Sequence, residues 1–254
     1  LHPKAKAKIK KVLVKDLDQV FYPEKQVVPW IKAVHDRVTL EMFRGCIRGC
    51  RFCQAGMIYR PVREKSKDIL IEKAKKLIES TGYEEISLAS LSTSDYTDLE
   101  NFTNELIDVC NDSYVSLSLP SLRVDAFSVD LMKKVQEVRK SSLTFAPEAG
   151  SQKMRDVINK NITEEEVIKG CELAFQGGWN RVKLYFMLGL PLEETEDVLE
   201  IAKLGEKIVK TFYQIDKEKR QGNIQLVIST SCFVPKAFTP FQWEGQDTID
   251  SFIN

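Results

Sequence analysis

Apolar positions along this chain follow two alternating rhythms. Short β-branched runs alternate, at fairly even intervals, with segments whose apolar residues recur every three or four positions. The runs at about 38–44, Glu85–Leu91, Val115–Leu119, Ser142–Ala146, Arg181–Leu188 and Ile224–Ser229 are predicted as strands. Helices are predicted at about 66–80, 98–110, 128–139, 151–158, 163–176 and 194–212. In the first helix Ile69, Ala74, Leu77 and Ile78 share one side, with Ser66 placed to cap it and Gly82 near its end. Thr163 and Glu166 spell a capping box at the fifth. Strand–helix alternation of this kind predicts a parallel α/β sheet, and six such units predict a partial barrel.

This reading divides the chain into an extension over 1–36, a core over 37–243, and the start of a truncated segment over 244–254. The extension, with its basic run Lys4–Lys11, is expected to pack on the outside of the barrel. The chain begins at Leu1 without methionine and stops within an amphipathic stretch, Asp247–Ile253, so it reads as a piece of a longer protein. No internal repeat or low-complexity linker is visible.

Composition narrows the class. A chain of 254 residues suits an α/β barrel, and 43% hydrophobic with 29% charged residues suits a globular protein with a substantial core. Lys+Arg and Asp+Glu both number 37, so net charge gives no support for broad nucleic-acid binding, although a local basic patch stays open. No apolar stretch reaches the roughly 18 residues of a membrane helix, and no signal peptide is visible. Cys110, Cys171 and Cys232 are scattered, which argues against a disulfide framework and for a reducing, cytoplasmic compartment.

The remaining three cysteines carry the chemistry. Cys46, Cys50 and Cys53 form a CxxxCxxC run directly after the first predicted strand. Three thiolates without an obvious fourth are an odd set for structural zinc, which is usually closed by four ligands. They suit an iron–sulfur cube with one iron left open, its potential tuned by N–H···S bonds. Gly45 and Gly49 would let the loop fold closely around such a cube. The competing readings are a zinc site completed by His35 or Cys110, and three thiols of the core.

In a parallel α/β barrel the site forms at the C-terminal ends of the strands, and the unusual residues gather there. After the second strand comes Ser90–Tyr96, which is equally an ordinary turn and helix start. After the third come Arg123 and Asp125, which are placed either to pair with each other or to meet a substrate or cofactor. The fourth ends in Ala146-Pro147-Glu148-Ala149-Gly150, with Lys160 twelve residues beyond Glu148. The fifth ends in Gly189-Leu190-Pro191, and the sixth leads into the aromatic stretch Cys232–Trp243. The aromatics read as core or lid packing. Glu148 also reads as a helix N-terminal carboxylate.

With these features the chain resembles the radical S-adenosylmethionine (SAM) superfamily, whose signature is this cysteine spacing with an aromatic, here Phe52, before the last cysteine. The strings at 50–61, 118–125, 143–150 and 182–191 resemble one bacterial branch in particular, which usually carries an N-terminal cobalamin-binding-like domain. The resemblance covers nearly the whole chain. It implies a partial TIM-like (β/α)6 barrel, a [4Fe–4S] cluster on Cys46, Cys50 and Cys53, and SAM chelated by the open iron. Reductive cleavage of SAM would then give methionine and a 5′-deoxyadenosyl radical that takes a hydrogen atom from a substrate. A methyl or methylthio transferase is a close variant.

The same resemblance implies contacts to SAM from Phe52, from the loop holding Ser92 and Ser94 to the amino group, and from Glu148 to the ribose. It assigns Lys160 or Arg155 to the SAM carboxylate, and the backbone at Met187, just before Gly189, to the adenine. The family's usual glycine pair is missing from the Ser90–Tyr96 loop, and Tyr185 stands where many relatives carry an acid. A flavodoxin- or ferredoxin-type electron donor is implied. No DxHxxG-type motif is present and the only histidines are His2 and His35, so cobalamin would depend on a domain outside this chain. No residue is singled out as the catalytic acid or base, and the substrate is not indicated. The different-class alternative is a non-catalytic barrel scaffold holding zinc or a structural cluster.

Overall fold

The structure is a computed structural model that describes residues 6, 8–31, 33–118, 143–220 and 222–253. It contains two three-stranded parallel sheets. The first has β1 (Val38–Glu41) beside β4 (Glu85–Ala89) beside β5 (Ser116–Ser118). The second has β6 (Leu143–Glu148) beside β7 (Arg181–Leu188) beside β8 (Gln225–Cys232). A small antiparallel pair joins β2 (Phe43–Arg44) to β3 (Arg63–Glu64). The helices are α1 (Gln54–Ile58), α2 (Lys67–Thr81), α3 (Leu99–Asp112), α4 (Gln152–Val157), α5 (Glu164–Gln176), α6 (Thr195–Gln214) and α7 (Ile249–Ile253). The six parallel strands are those expected, and the described residues form no closed barrel.

Alternation along each strand decides what packs where. Val38, Leu40, Ile86, Leu88 and Leu117 face α2 and α3 in one core, where Leu70, Ala74, Phe102 and Leu106 are fully buried. Leu143, Phe145, Val182, Leu184 and Phe186 face α5 and α6 in the other, around Val167, Phe175, Leu204 and Phe212. Phe175 and Phe212 meet edge to face with centroids 5.1 Å apart. A third cluster of Ala149, Met154, Ile158, Leu190, Phe233 and Phe241 closes the C-terminal end of the second sheet.

Several boundaries differ from the sequence reading. The first predicted strand divides after Glu41: Met42 still donates to the Ala89 carbonyl, but Phe43 and Arg44 turn away to pair with β3. The last strand runs on to Cys232. Ser66 stands at the N-cap of α2 without a side-chain capping bond; its own N–H instead donates to Asp18 Oδ1 at 2.8 Å. The capping box of Thr163 and Glu166 is formed, and Gly82 ends α2 in the left-handed conformation. The predicted helix at 128–139 and the pair Arg123 and Asp125 lie outside the described residues.

The N-terminal segment contacts the first sheet and its helices. Leu17 is buried, Glu24 pairs with Lys73 and Lys76 on α2, and the Tyr22 hydroxyl donates to the Thr39 carbonyl at 2.5 Å. No helix among the described residues is long and apolar enough to cross a membrane.

Candidate functional site

The three cysteines lie on the loop between β2 and α1, at the C-terminal end of β1, and all three are half-buried. Gly45 enters the loop with φ +94°, and a Cβ there would lie 2.7 Å from the Pro61 carbonyl oxygen, so the tight entry requires glycine. The Arg48 N–H donates to Cys46 Sγ at 3.4 Å, and the Gly56 N–H donates to Cys53 Sγ at 3.3 Å. Cys53 thereby caps α1. Amide N–H groups aimed at sulfur stabilise thiolate and tune a bound cluster. Among the described residues, no three His, Cys, Asp or Glu side chains converge on the position of a single metal ion. The donor set and its N–H···S bonds fit a cluster that presents a separate iron to each thiolate.

The loop is held on several sides. Arg48 grips Asp95, after β4, through both carboxylate oxygens, one of them at 3.0 Å from Nε. Arg51 donates its backbone N–H to the Ile158 carbonyl at 2.9 Å and its guanidinium to the Asp156 and Val157 carbonyls at the end of α4. Asn159 Nδ2 returns a bond to the Gly49 carbonyl at 2.8 Å. Gln54 Nε2 reaches the Ala237 carbonyl beyond β8 at 3.0 Å. The cysteine loop is therefore tied to the exits of strands in both sheets. Arg48, Arg51 and Asn159 do this positioning, and no local pattern marks their partners, which lie 47 to 110 residues away.

Phe52 and Met187 each pack against the third apolar cluster, which contains Ala149, Ile158 and Leu190. The β7 exit is fixed by Glu193, whose carboxylate accepts the Gly189 N–H at 2.6 Å and the Leu190 N–H at 3.4 Å. Burial pushes the Glu193 carboxyl up, against the pull of those two N–H groups.

Glu148 ends β6 at a register irregularity with φ +71°, a conformation rare for a residue with a Cβ. Its carboxylate meets Lys160 Nζ at 3.3 Å, and both side chains are mostly buried. The α4 N-cap is Ser151 and not Glu148, so the helix-dipole reading of Glu148 does not hold. Ser151 Oγ accepts from the Met154 N–H and donates to Asp197 Oδ1 at 2.7 Å, while Lys153 pairs with Asp197 Oδ2 at 2.8 Å.

Arg155 is fully buried, and its guanidinium donates to the Ala149 and Gly150 carbonyls and to Gln152 Oε1. On the first sheet, Ser92 is buried with no hydrogen-bond partner for its hydroxyl, and Ser94 sits in the following turn Thr93–Asp95. Neither serine is part of the cluster around Phe52 and Met187. Of the aromatics beyond β8, Phe233 and Phe241 are buried edge to face, whereas Phe238 and Trp243 are exposed.

Two parallel sheets with a three-thiol loop at the C-terminal end of β1 make this an α/β protein with three candidate cluster ligands at the ends of its strands. The sequence profile of the Radical SAM superfamily matches residues 40–205, and the chain belongs to that superfamily. It is 34% identical over 242 residues to the uncharacterised protein MJ0966 of Methanocaldococcus jannaschii, covering 95% of this chain and 50% of that one. It is 24% identical over 205 residues to the uncharacterised methyltransferase PH0819 of Pyrococcus horikoshii, covering 77% of this chain and 43% of that one. The chain thus spans about half the length of these curated relatives. Its fold is like that of the radical SAM methyltransferase TsrM of Kitasatospora setae, solved with cobalamin and a [4Fe–4S] cluster. The TM-score is 0.62 at 11% identity, covering 82% of this chain and 38% of that one.

Proposed function

We propose that this chain is the core of a radical SAM enzyme. In this reading Cys46, Cys50 and Cys53 hold a [4Fe–4S] cluster, and SAM lies across the C-terminal ends of the strands. When bound and reduced, by a flavodoxin- or ferredoxin-type donor, the cluster supplies the electron that cleaves SAM to methionine and a 5′-deoxyadenosyl radical. The observation that carries the reading is the three-thiol loop, bonded through Arg48 to Asp95 beyond β4 and through Arg51 and Asn159 to the end of α4 beyond β6, within a superfamily-matched core.

The roles of the other residues follow from their surroundings. Glu148 accepts hydrogen bonds from ribose hydroxyls. Lys160, paired with Glu148 at 3.3 Å, has further ammonium donors for the SAM carboxylate. Arg155 binds the Ala149 and Gly150 carbonyls and Gln152 through its two terminal nitrogens and so holds the β6 exit in place, while its buried Nε keeps a donor without a partner among the described residues. Ser92, with an unpartnered buried hydroxyl, and Ser94 border the SAM amino group. Phe52 and Met187 form the apolar wall against the adenine, with the Met187 backbone reading its edge and Gly189 allowing the chain to turn beyond it.

Transfer of a methyl or methylthio group is a second reading, and the likeness to the uncharacterised methyltransferase PH0819 and to the methyltransferase TsrM favours the methyl group. Any cobalamin or second cluster for it would come from outside these residues. The test is anaerobic reconstitution with iron and sulfide, reduction, and assay of 5′-deoxyadenosine. Release that is lost in Cys50→Ala, with a raised SAM requirement in Lys160→Ala, is expected. No release from a chain that has taken up iron would overturn the proposal in favour of a scaffold.

A further inference from the structure

The face of the second sheet turned away from α5 and α6 is polar where a filled barrel would be apolar. Leu143, Phe145, Val182, Leu184 and Phe186 point to the helices, and Leu226 and Ile228 approach Gly205 of α6. Strand alternation therefore puts Thr144, Lys183, Tyr185, Ser229 and Ser231 on the opposite, inner face, together with Arg181, Met187 and Val227, the last beside Lys183. The strand register places Thr144 beside Lys183, Tyr185 beside Ser229, and Met187 beside Ser231. The first sheet repeats the pattern, with Thr39, Ser87 and Ser118 in one row. Inner positions of a packed barrel usually hold Val, Ile and Leu. Hydroxyls here do not fill the space, and they need hydrogen-bond partners once water leaves.

Within this surface stand two cations on β7, Arg181 at the start of the strand and Lys183 beside Tyr185. Lys183 Nζ lies 4.5 Å from the centroid of the Tyr185 ring, which pins the side chain without neutralising it. No carboxylate among the described residues pairs with it. Lys183 lies four residues before Met187 on the same face, roughly 13 Å deeper along the strand.

We propose that Lys183, with Thr144, Tyr185 and Ser229, anchors the anionic end, a carboxylate or a phosphate, of a small hydroxyl-bearing substrate. Its other end then faces the strand exits. Only that orientation rests on the radical SAM reading; the anion site belongs to the sheet. Aromatic-pinned lysine supplies the charge, and the flanking hydroxyls supply donors to the anion and partners for substrate hydroxyls.

The test is calorimetry on the full chain, with and without its reconstituted cluster, using glycerate, glycerol 3-phosphate and glycerol as probes. Saturable binding of at least one anion, no binding of glycerol, and an affinity at least tenfold weaker in Lys183→Met but retained in Lys183→Arg are expected. Whether glycerate or glycerol 3-phosphate binds tells the carboxylate from the phosphate. No anion binding, equal binding of glycerol, or unchanged binding in Lys183→Met overturns the proposal. Anion binding without 5′-deoxyadenosine release defeats the enzyme reading alone, and release without anion binding defeats this inference alone.

Discussion

Gly150→Ala is the sharpest structural perturbation that the β6 exit allows. A Cβ at Gly150 would lie 2.4 Å from the Ile201 N atom and 2.8 Å from both the Asp197 carbonyl oxygen and the Glu200 carbonyl carbon. All three are backbone atoms of α6, so no rotamer change relieves the contact. Ordinary van der Waals contact begins near 3.4 Å, so α6 would have to retreat by about 1 Å from β6. That displacement loosens the packing of Ile201 and Leu204 in the second core and pulls Asp197 from Ser151. Overpacking of this kind costs about 1–3 kcal/mol, and the upper half of that range is expected because the obstruction is backbone. For a chain of this size each kcal/mol lowers the melting temperature by about 2–4 °C. The assay is thermal and urea denaturation of wild type, Gly150→Ala and Gly245→Ala, the last meeting nothing within 4 Å. A Gly150→Ala melting temperature within about 1 °C of wild type would refute the close approach of α6 to the strand exit.

Other consequences can be checked independently. For the Asp197 carboxyl, burial raises the pKa, but Lys153, Ser151 and the Glu194 N–H outweigh it and hold it below the usual 3.8. Its stabilising contribution is therefore complete above pH 3.8 and lost as pH falls through the lower folded value. Wild type should lose denaturant resistance on acidification that Asp197→Asn, already lacking the charge, does not lose. Burial pushes the Cys110 and Cys171 thiols up to about 12, so iodoacetamide should modify exposed Cys232 in the native, cluster-free chain and reach those two only on unfolding. A double-mutant cycle on Arg48 and Asp95 should give a coupling of about 1 kcal/mol or more, above a typical exposed pair, because the Asp95 side chain is only 7% exposed. Additivity of the two substitutions would detach the cysteine loop from the β4 exit.

Much of the architecture was legible because parallel strands buried against helices carry strong apolar runs. Arg181–Leu188 was placed to the residue, and the Thr163–Glu166 capping box was readable from two side chains three positions apart. The apolar run over 38–44 reads as one strand because it does not register where the chain leaves one partner for another after Glu41. Ser66 looked like a capping side chain, but Asp18, 48 residues earlier, takes over its environment. The cysteine spacing raised the expectation of a cluster, since the three candidate ligands are close in sequence. What holds that loop was not legible: Arg48 and Arg51 are ordinary surface arginines until their partners at Asp95 and Val157 are known. Arg155 shows the converse, a charged residue whose complete burial no local pattern signals. The inner-face hydroxyls were present as alternate positions in the strands, yet they acquire meaning only once Leu226 and Ile228 show which face meets α6.

The most direct test is electron paramagnetic resonance of the reconstituted, reduced chain, recorded before and after addition of SAM. A reduced [4Fe–4S] signal that SAM perturbs, absent in Cys50→Ala, is expected if the three thiols leave one iron open to the substrate. Zinc in place of iron, or a cluster signal that SAM leaves unchanged, would contradict the assignment of this loop to SAM chemistry.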